Sequence, residues 1–290
     1  MNGFVCIDKP AGMTSFAVVK TLRRLLKVKK AGHSGTLDPA ATGLLVVALE
    51  NATRLFPFLP VSPKKYLFTV AFGAETDSLD ASGEVVEDGG RIPSEEEINA
   101  ITARFIGKSA QVPPKFSSVK VGGVRAYKRA RRREGFEMKP REIEVFSLEQ
   151  TRYDPLRGEA GFAITCETGT YIRSIARDMA RALGTLGYAS SVRRTAVGRF
   201  TLDQARALDA GPASIRDAVI PVGDAFEGCP GVTLTDLQKQ AVSHGRSVML
   251  RVDNAGAGNV VAFDRDGEVA AVLAGSGPNT YKPVRVFCAR

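Results

Sequence analysis

The sequence predicts a chain of the α/β class in its α+β form: a mixed or antiparallel sheet carrying helices, followed by a small β-rich C-terminal module. Amphipathic helical stretches and short strand-like runs both occur, but not in the regular alternation that a doubly wound parallel sheet demands. The chain also changes character across Pro212–Pro230, beyond which the signals are mostly short strands. At 290 residues it is long for one average domain, and 44% hydrophobic with 24% charged residues is the ordinary balance of a globular protein. Disordered, collagen-like and coiled-coil classes are thereby excluded. No apolar run is longer than Leu44–Leu49, far short of the roughly 20 residues that span a bilayer, so no membrane partner is expected. Met1–Lys9 lacks a basic region ahead of its apolar run, so no secretory signal is read and a cytoplasmic location is expected.

The elements follow in order. Met1–Lys9 reads as a strand. Thr14-Ser15 caps a helix whose apolar positions are Phe16, Val19, Leu22, Leu25 and Leu26. Leu44–Leu49 has the length and apolarity of a strand, and Tyr66, Phe68, Val70 and Phe72 alternate with Leu67, Thr69 and Ala71 at strand period. Ser94 with Glu97 forms a capping box ahead of a helix bearing Ile98, Ile101 and Phe105, with Gly107 past its end. Ile143–Leu148 and Gly161–Cys166 are strand-sized. Ile172, Ile175, Ala176, Met179, Ala182 and Leu183 mark a third helix closed by Gly184. Beyond Val232 come a helix near Thr235–Ser243 and strands at Ser247–Val252, Val260–Phe263, Val269–Leu273 and Val284–Phe287. Asp266-Gly267 reads as a hairpin turn between two of these. The expected division is residues 1–228 and 229–290.

Cys6, Cys166, Cys229 and Cys288 lack CxxC or Cys/His ligand spacing, and only His33 and His244 offer imidazoles. Neither a disulfide framework nor a metal site is expected; free thiols in a reducing cytoplasm are.

Forty Lys and Arg against 31 Asp and Glu give a net charge of +9, which points to a polyanionic partner. The charge is local. Residues 98–133 contain no acid but ten cations, among them Lys120, Arg125, Lys128, Arg129, Arg131 and Arg132. Pro113-Pro114 and Gly122-Gly123 break regular structure, so a projecting basic insertion is expected over about residues 108–140. Phe116 and Tyr127 are interleaved with the cations and can stack on unpaired bases. These six cations are the expected contacts to an RNA backbone; a solvated basic face is the alternative.

Gly32–Gly43, GHSGTLDPAATG, is the densest cluster of special residues. Local chemistry takes it as far as a carboxylate and an imidazole on a glycine-bracketed loop before a strand. Asp38 could equally cap a helix with Pro39 at its first position, and His33 could be a packed histidine.

This segment resembles the catalytic motif of the TruB family of tRNA pseudouridine synthases. Further segments match that family in order: Asp8-Lys9-Pro10-Ala11-Gly12-Met13-Thr14-Ser15, Lys65-Tyr66, the stretch Gln111–Lys120, Gly169-Thr170-Tyr171-Ile172-Arg173-Ser174, and Arg193-Arg194-Thr195 with Gly198-Arg199-Phe200. The matches span about residues 1–205. The resemblance implies a pseudouridine synthase fold with a small PUA-like RNA-binding domain, acting without cofactor on the T-arm of tRNA, at uridine 55, as a monomer with no obligatory protein partner. It implies Asp38 as the catalytic carboxylate, Arg173 as its pairing arginine and Tyr66 as the base-stacking tyrosine. Tyr171, Val192 and Lys9 fall at nucleotide-contacting positions, and His33 where an imidazole enters the RNA loop displaced when the base is flipped out. Val192 stands where the family usually has leucine, one methylene larger and worth about 1 kcal/mol of contact. The chemistry agrees: isomerising uridine needs neither redox step nor group donor, and a carboxylate can stabilise or trap an electron-poor anomeric carbon. Two rivals stand beside this reading: a family member working on another RNA or with guide RNA and partner proteins, and a non-catalytic RNA-binding protein or chaperone.

Overall fold

The computed structural model describes residues 1–252 and 258–287. Cys288, and the charges of Asp253 and Arg290, lie outside the described residues. Ten strands form the large sheet. Its order from one edge is Arg206–Ala207, Gly3–Lys9, Thr42–Leu49, Gly187–Val197, Lys64–Phe72, Glu159–Cys166, Arg141–Asp154 and Gly107–Gln111; Ala31–His33 and Phe200–Thr201 pair beside this path. Among the described residues its pairings are antiparallel except where Gly3–Lys9 meets Arg206–Ala207 and where Thr42–Leu49 meets Gly187–Val197. The mixed, largely antiparallel sheet is therefore the one the sequence predicts.

Alternation places the strands. In Lys64–Phe72 the side chains of Tyr66, Phe68, Val70 and Phe72 are buried while Lys65 and Leu67 are exposed. Phe68 pairs in register with Phe162 and stacks on it, with ring centroids 5.3 Å apart. The helix Ile172–Ala182 lays Ile172, Ile175, Ala176 and Met179 onto this core. It also buries Arg173, Ser174 and Arg177, because Ser174 Oγ and Arg177 Nη2 donate to the Val112 carbonyl at 2.9 and 3.0 Å. The apolar stripe of the sequence thus gives one buried face, and polar contacts to residues 112–116 make the other.

The helix Ser15–Leu26 is capped by Thr14, whose Oγ1 accepts from the Ala17 N–H at 3.0 Å. Its buried residues are Ser15, Val18, Val19, Leu22 and Leu26, packed on Val5, Ile7, Leu45 and Val47. Phe16 departs from expectation: it is 71% exposed. It lies about 100° round the helix from Ser15, off the face centred on Ser15, Leu22 and Leu26. The capping box forms as expected, with Glu97 Oε2 accepting from Ser94 N–H at 2.8 Å at the start of Glu95–Thr102.

Two stretches hold elements that periodicity does not predict. Gly187–Val197 is a central strand that carries two adjacent arginines and shows no clean alternation. Pro212–Pro230 holds a helix at Pro212–Asp217 and buries Ile215, Val222, Ala225 and Phe226.

Five further strands form a separate sheet in the order Gly231–Thr233, Val260–Phe263, Val269–Gly277, Thr280–Val286 and Val248–Met249. The hairpin around Asp266-Gly267 is present, with Gly267 at φ +79°. The strand expected at Ser247–Val252 contracts to two residues, and that expected at Val284–Phe287 begins earlier, at Thr280. Val261, Val269 and Val272 share one apolar cluster with Phe4, Phe200 and Phe226, so this sheet is seated on the large one. No described helix is long and apolar enough to cross a membrane.

Candidate active site

The loop joining Ala31–His33 to Thr42–Leu49 carries Asp38. No helix starts at Pro39; instead the Ala41 N–H donates to the Asp38 carbonyl at 3.1 Å and closes a turn. Leu37 and Ala41 plug into the main core on either side of the carboxylate. Ser15 Oγ accepts from the Leu37 N–H at 2.8 Å and donates to the Leu37 carbonyl at 3.0 Å. Lys9 is fully buried, and its Nζ donates to the carbonyls of Pro10, Met13 and Pro39 at 2.8, 2.7 and 3.1 Å. With its three protons committed to backbone carbonyls, Lys9 braces the loop that carries Asp38.

Asp38 keeps 39% of its side-chain surface exposed, and the 4% exposed Arg173 brings Nε to 2.9 Å from its Oδ2. The Nε–H is not aimed along that line and has no hydrogen-bond partner, so the contact is an ion pair by proximity. The rest of the guanidinium is fixed: Nη1 donates to the Ser78 carbonyl at 2.5 Å and lies 3.4 Å from Asp80 Oδ2, while Nη2 donates to the Phe116 carbonyl at 2.9 Å. Asp80, buried, is a partner that sequence reading missed. Its Oδ1 accepts from Ser78 Oγ and from the N–H and Oγ of Ser82. Enclosure by protein raises the Asp38 pKa, Arg173 opposes that rise, and the negative Asp80 adds to it.

Two adjoining cavities of ≈ 410 and ≈ 280 Å³ share Asp38, Ser117 and Arg173 in their walls. The larger is lined by Phe16, His33, Phe116, Tyr127 and Arg131. The smaller is lined by Lys64, Tyr66, Tyr171 and Val192. Tyr66 is buried, which pushes its phenol pKa up, with the adjacent Arg194 guanidinium opposing. Tyr171 is held by a reciprocal pair with Gln111: its N–H donates to Oε1 at 2.9 Å and its carbonyl accepts from Nε2 at 3.1 Å. Burial lowers the His33 pKa, helped by the nearby Arg194 charge, so the imidazole is neutral at pH 7. Five buried side-chain polar atoms lack a hydrogen-bond partner among the described residues, and four of them belong to residues lining these cavities: His33 Nδ1, Ser34 Oγ, Ser117 Oγ and Arg173 Nε.

The basic insertion forms a small hairpin, Lys120–Val121 with Val124–Arg125, followed by the helix Ala126–Arg131. Lys120, Arg125, Lys128, Arg131 and Arg132 are exposed. Arg131 lies over the Tyr127 ring at 5.7 Å and reaches the larger cavity. Arg129 is otherwise engaged, paired with Glu134 at 2.8 Å and set over Phe136 at 5.1 Å. Glu134, the first acid after the cation-only window, takes up part of its charge.

Residues 23–172 match the TruB family pseudouridylate synthase (N terminal domain). The chain belongs to the TruB family. Within that family, tRNA pseudouridine synthase B of Caulobacter sp. (strain K31) is 38% identical over 299 residues, spanning 99% of this chain and 96% of the relative. The protein of the same name from Aquifex aeolicus (strain VF5) is 39% identical over 253 residues, spanning 87% of this chain and 88% of the relative. Among solved structures, a Cbf5-Nop10-Gar1 complex contains a chain that superimposes with TM-score 0.73 at 26% identity, covering 99% of this chain and 84% of the other. An archaeal box H/ACA sRNP Nop10-Cbf5 complex gives TM-score 0.74 at 25% identity, covering 99% and 86%. This TruB-family chain is a pseudouridine synthase, an isomerase, with the family's mixed α/β fold and PUA-like C-terminal module.

Asp38, Tyr66, Arg173, Tyr171 and Val192 meet at the smaller cavity and His33 at the larger one, across a sequence separation of more than 150 residues. Sequence reading missed Asp80, Lys64 and the fully buried Arg194. Asp77-Ser78-Leu79-Asp80 reads as an ordinary turn, and the pairing with Arg173 joins residues far apart in the chain.

Proposed function

We propose that this synthase isomerises uridine 55 in the T-arm of tRNA, with Asp38 as the catalytic carboxylate, and that it does so alone, as a cytoplasmic monomer without cofactor. The observation that carries the reading is the convergence of Asp38, Arg173 and Tyr66 on one cavity of ≈ 280 Å³, the size of a single nucleoside rather than a helix. A uridine inside a folded loop reaches such a cavity only after leaving the stack, at a cost of about a few kcal/mol. Tyr66 then supplies a stacking surface, Tyr171 and Val192 close the cavity, and the neutral His33 fills space vacated in the RNA. Arg173 keeps Asp38 ionised and oriented toward the anomeric carbon. Asp38 either attacks that carbon or promotes loss of a sugar proton; both routes use the same placement. The exposed cations Lys120, Arg125, Lys128, Arg131 and Arg132 provide the backbone grip, and the buried thiols of Cys6 and Cys166 suit a reducing compartment.

The relatives named for tRNA stand at 38–39% identity, against 25% for the chain from an archaeal box H/ACA sRNP complex, which favours tRNA over guide-directed substrates. The test is to incubate the purified chain alone with an unmodified tRNA transcript, map pseudouridine by position, and repeat with Asp38→Asn. Pseudouridine at position 55 from the parent and none from the variant is the expected result. No product from the parent alone, product elsewhere, or unchanged turnover by the variant overturns the reading. A binding protein or chaperone would instead keep its whole activity, and its salt-sensitive RNA affinity, in Asp38→Asn.

A further inference from the structure

Lys64 opens the central strand two residues before Tyr66, so both side chains leave the same face of the sheet and line the same cavity. It is 6% exposed, and among the described residues no ion pair or hydrogen bond engages its Nζ. Glu167, an acid close enough to attract it, is half-buried, makes no ion pair with Lys64 and accepts from the Thr168 N–H at 2.8 Å. Arg194, 1% exposed, is likewise without a carboxylate partner; its Nε and Nη2 donate to the Leu44 and Gly35 carbonyls at 2.8 and 3.1 Å. The two cations converge on one point. A Cβ built on Gly35 would stand 3.0 Å from Lys64 Nζ and 3.7 Å from Arg194 Nη1. Burying two adjacent positive charges without a counter-ion is costly, and the cost shows in the Lys64 pKa, which burial and Arg194 lower to about 8. Lys9 is buried as deeply but is fully bonded to carbonyls. Lys64 is aimed, unbonded, into the cavity.

We infer that Lys64, backed by Arg194, is a further catalytic residue that stabilises the uracil anion formed when the glycosidic bond breaks. The inference rests on the isomerisation proposed above. In that step the electron pair of the C1′–N1 bond passes to the base, and the charge spreads over N1, O2 and O4. When the base rejoins through C5, that pair is returned: a C1′–C5 bond forms, the C5 proton is lost and N1 takes up a proton, so the net change is isomerisation. A base stacked on Tyr66 presents its oxygen-bearing edge to groups on the same sheet face, where Lys64 stands. A backbone phosphate is the other anion the nucleotide carries. It stays with the RNA chain, however, whereas Lys64 lines the cavity that takes the base. A donor fixed in advance beside a developing charge costs no reorganisation during reaction.

The test compares the parent with Lys64→Met and Lys64→Arg under single turnover at saturating RNA, with RNA affinity measured separately. Two substrates are used: the uridine transcript and one carrying 5-fluorouridine at the target, whose fluorine makes the base a better anionic leaving group; glycosidic cleavage is followed. Lys64→Met is expected to bind RNA within twofold of the parent and to react about 100-fold more slowly, the scale of losing one such donor. The deficit should shrink on 5-fluorouridine, Lys64→Arg should recover part of the rate, and the melting temperature of Lys64→Met should not fall. Weakened binding with an unchanged rate would make Lys64 a phosphate anchor and overturn the inference. Equal deficits on both substrates would make it structural, and an unchanged rate would remove it from the reaction. A parent inactive on the uridine transcript would instead overturn the underlying function.

Discussion

At the residue scale, the carboxylate proposed to do the chemistry is held between opposing influences. Enclosure and the neighbouring Asp80 raise the Asp38 pKa, and the Arg173 guanidinium pulls it back. Chemistry at the anomeric carbon needs the ionised form. Activity therefore rises with pH as Asp38 deprotonates, on a limb displaced upward from the ordinary carboxylate value of 3.8. Replacing Arg173 by methionine removes the one strong attraction and leaves the repulsion, so the acid limb of the single-turnover pH profile is expected to move to higher pH, with a lower plateau. Arg173→Lys, which keeps a positive charge, should move it less. A limb that stays in place in Arg173→Met would show that the guanidinium does not set the protonation of Asp38. Asp38, Arg173 and Tyr66 were legible in the sequence because each sits in a short motif of a known family. Asp80 and Arg194 were not. Their importance lies in what they touch, and a single sequence does not display contacts between residues 78–80 and 173 or between 35 and 194.

At the scale of elements, helices were more legible than strands. The caps at Thr14 and at Ser94 with Glu97 are local chemistry, written in three or four adjacent residues, and the structure has both. Gly187–Val197 is central in the sheet yet polar at Ser190, Ser191, Arg193 and Arg194, because these side chains have polar partners across the sheet: Ser190 donates to Glu159, Ser191 to Thr69, Arg193 pairs with Asp8, and Arg194 donates to the Leu44 and Gly35 carbonyls. This strand also fixes the loop that carries Asp38. Where it runs parallel to Thr42–Leu49, Arg194 pairs with Gly43, which has φ +98°; a Cβ there would lie 2.2 Å from the Arg194 carbonyl oxygen. Backbone cannot give way as a flexible side chain does. Gly43→Ala is therefore expected to cost about 2–4 kcal/mol, roughly 5–15 °C in melting temperature, and to lower activity by displacing the Asp38 loop. Gly12 is the matched control: it has φ +80° but nothing within 4 Å of its Cβ position, so Gly12→Ala bears backbone strain without collision and should melt closer to the parent. Equal melting of the two variants would refute the close approach at Gly43 as the reason for glycine there.

At the scale of the whole molecule, strand pairing and packing divide the chain differently. Among the described residues, the strands from Gly231 onward pair only with one another, so sheet pairing divides the chain there. The apolar core ignores that division. Val261, Val269 and Val272 lie in one cluster with Phe4, Leu44, Phe200 and Phe226, and Phe263 and Phe287 pack at its margin. Arg54 extends the contact by lying over the Phe287 ring at 5.3 Å. The sequence could not show this, because Phe4, Phe200 and Val272 each fit an ordinary core strand and nothing local says which sheet each one faces. The packing changes what removal of the C-terminal module should do. An independent RNA-binding appendage could be deleted with loss of affinity alone. Here truncation after Gly228 would strip one side from a cluster containing fully buried Phe4, Leu44 and Val197 and open apolar surface to water at about 25 cal/mol per Å². The truncated chain is therefore expected to melt well below the full chain and to bind an apolar dye at room temperature. Its turnover at saturating RNA should be lost in step with the unfolded fraction. A truncated protein that melts with the parent and loses only RNA affinity would establish instead that residues 1–228 fold as an independent unit.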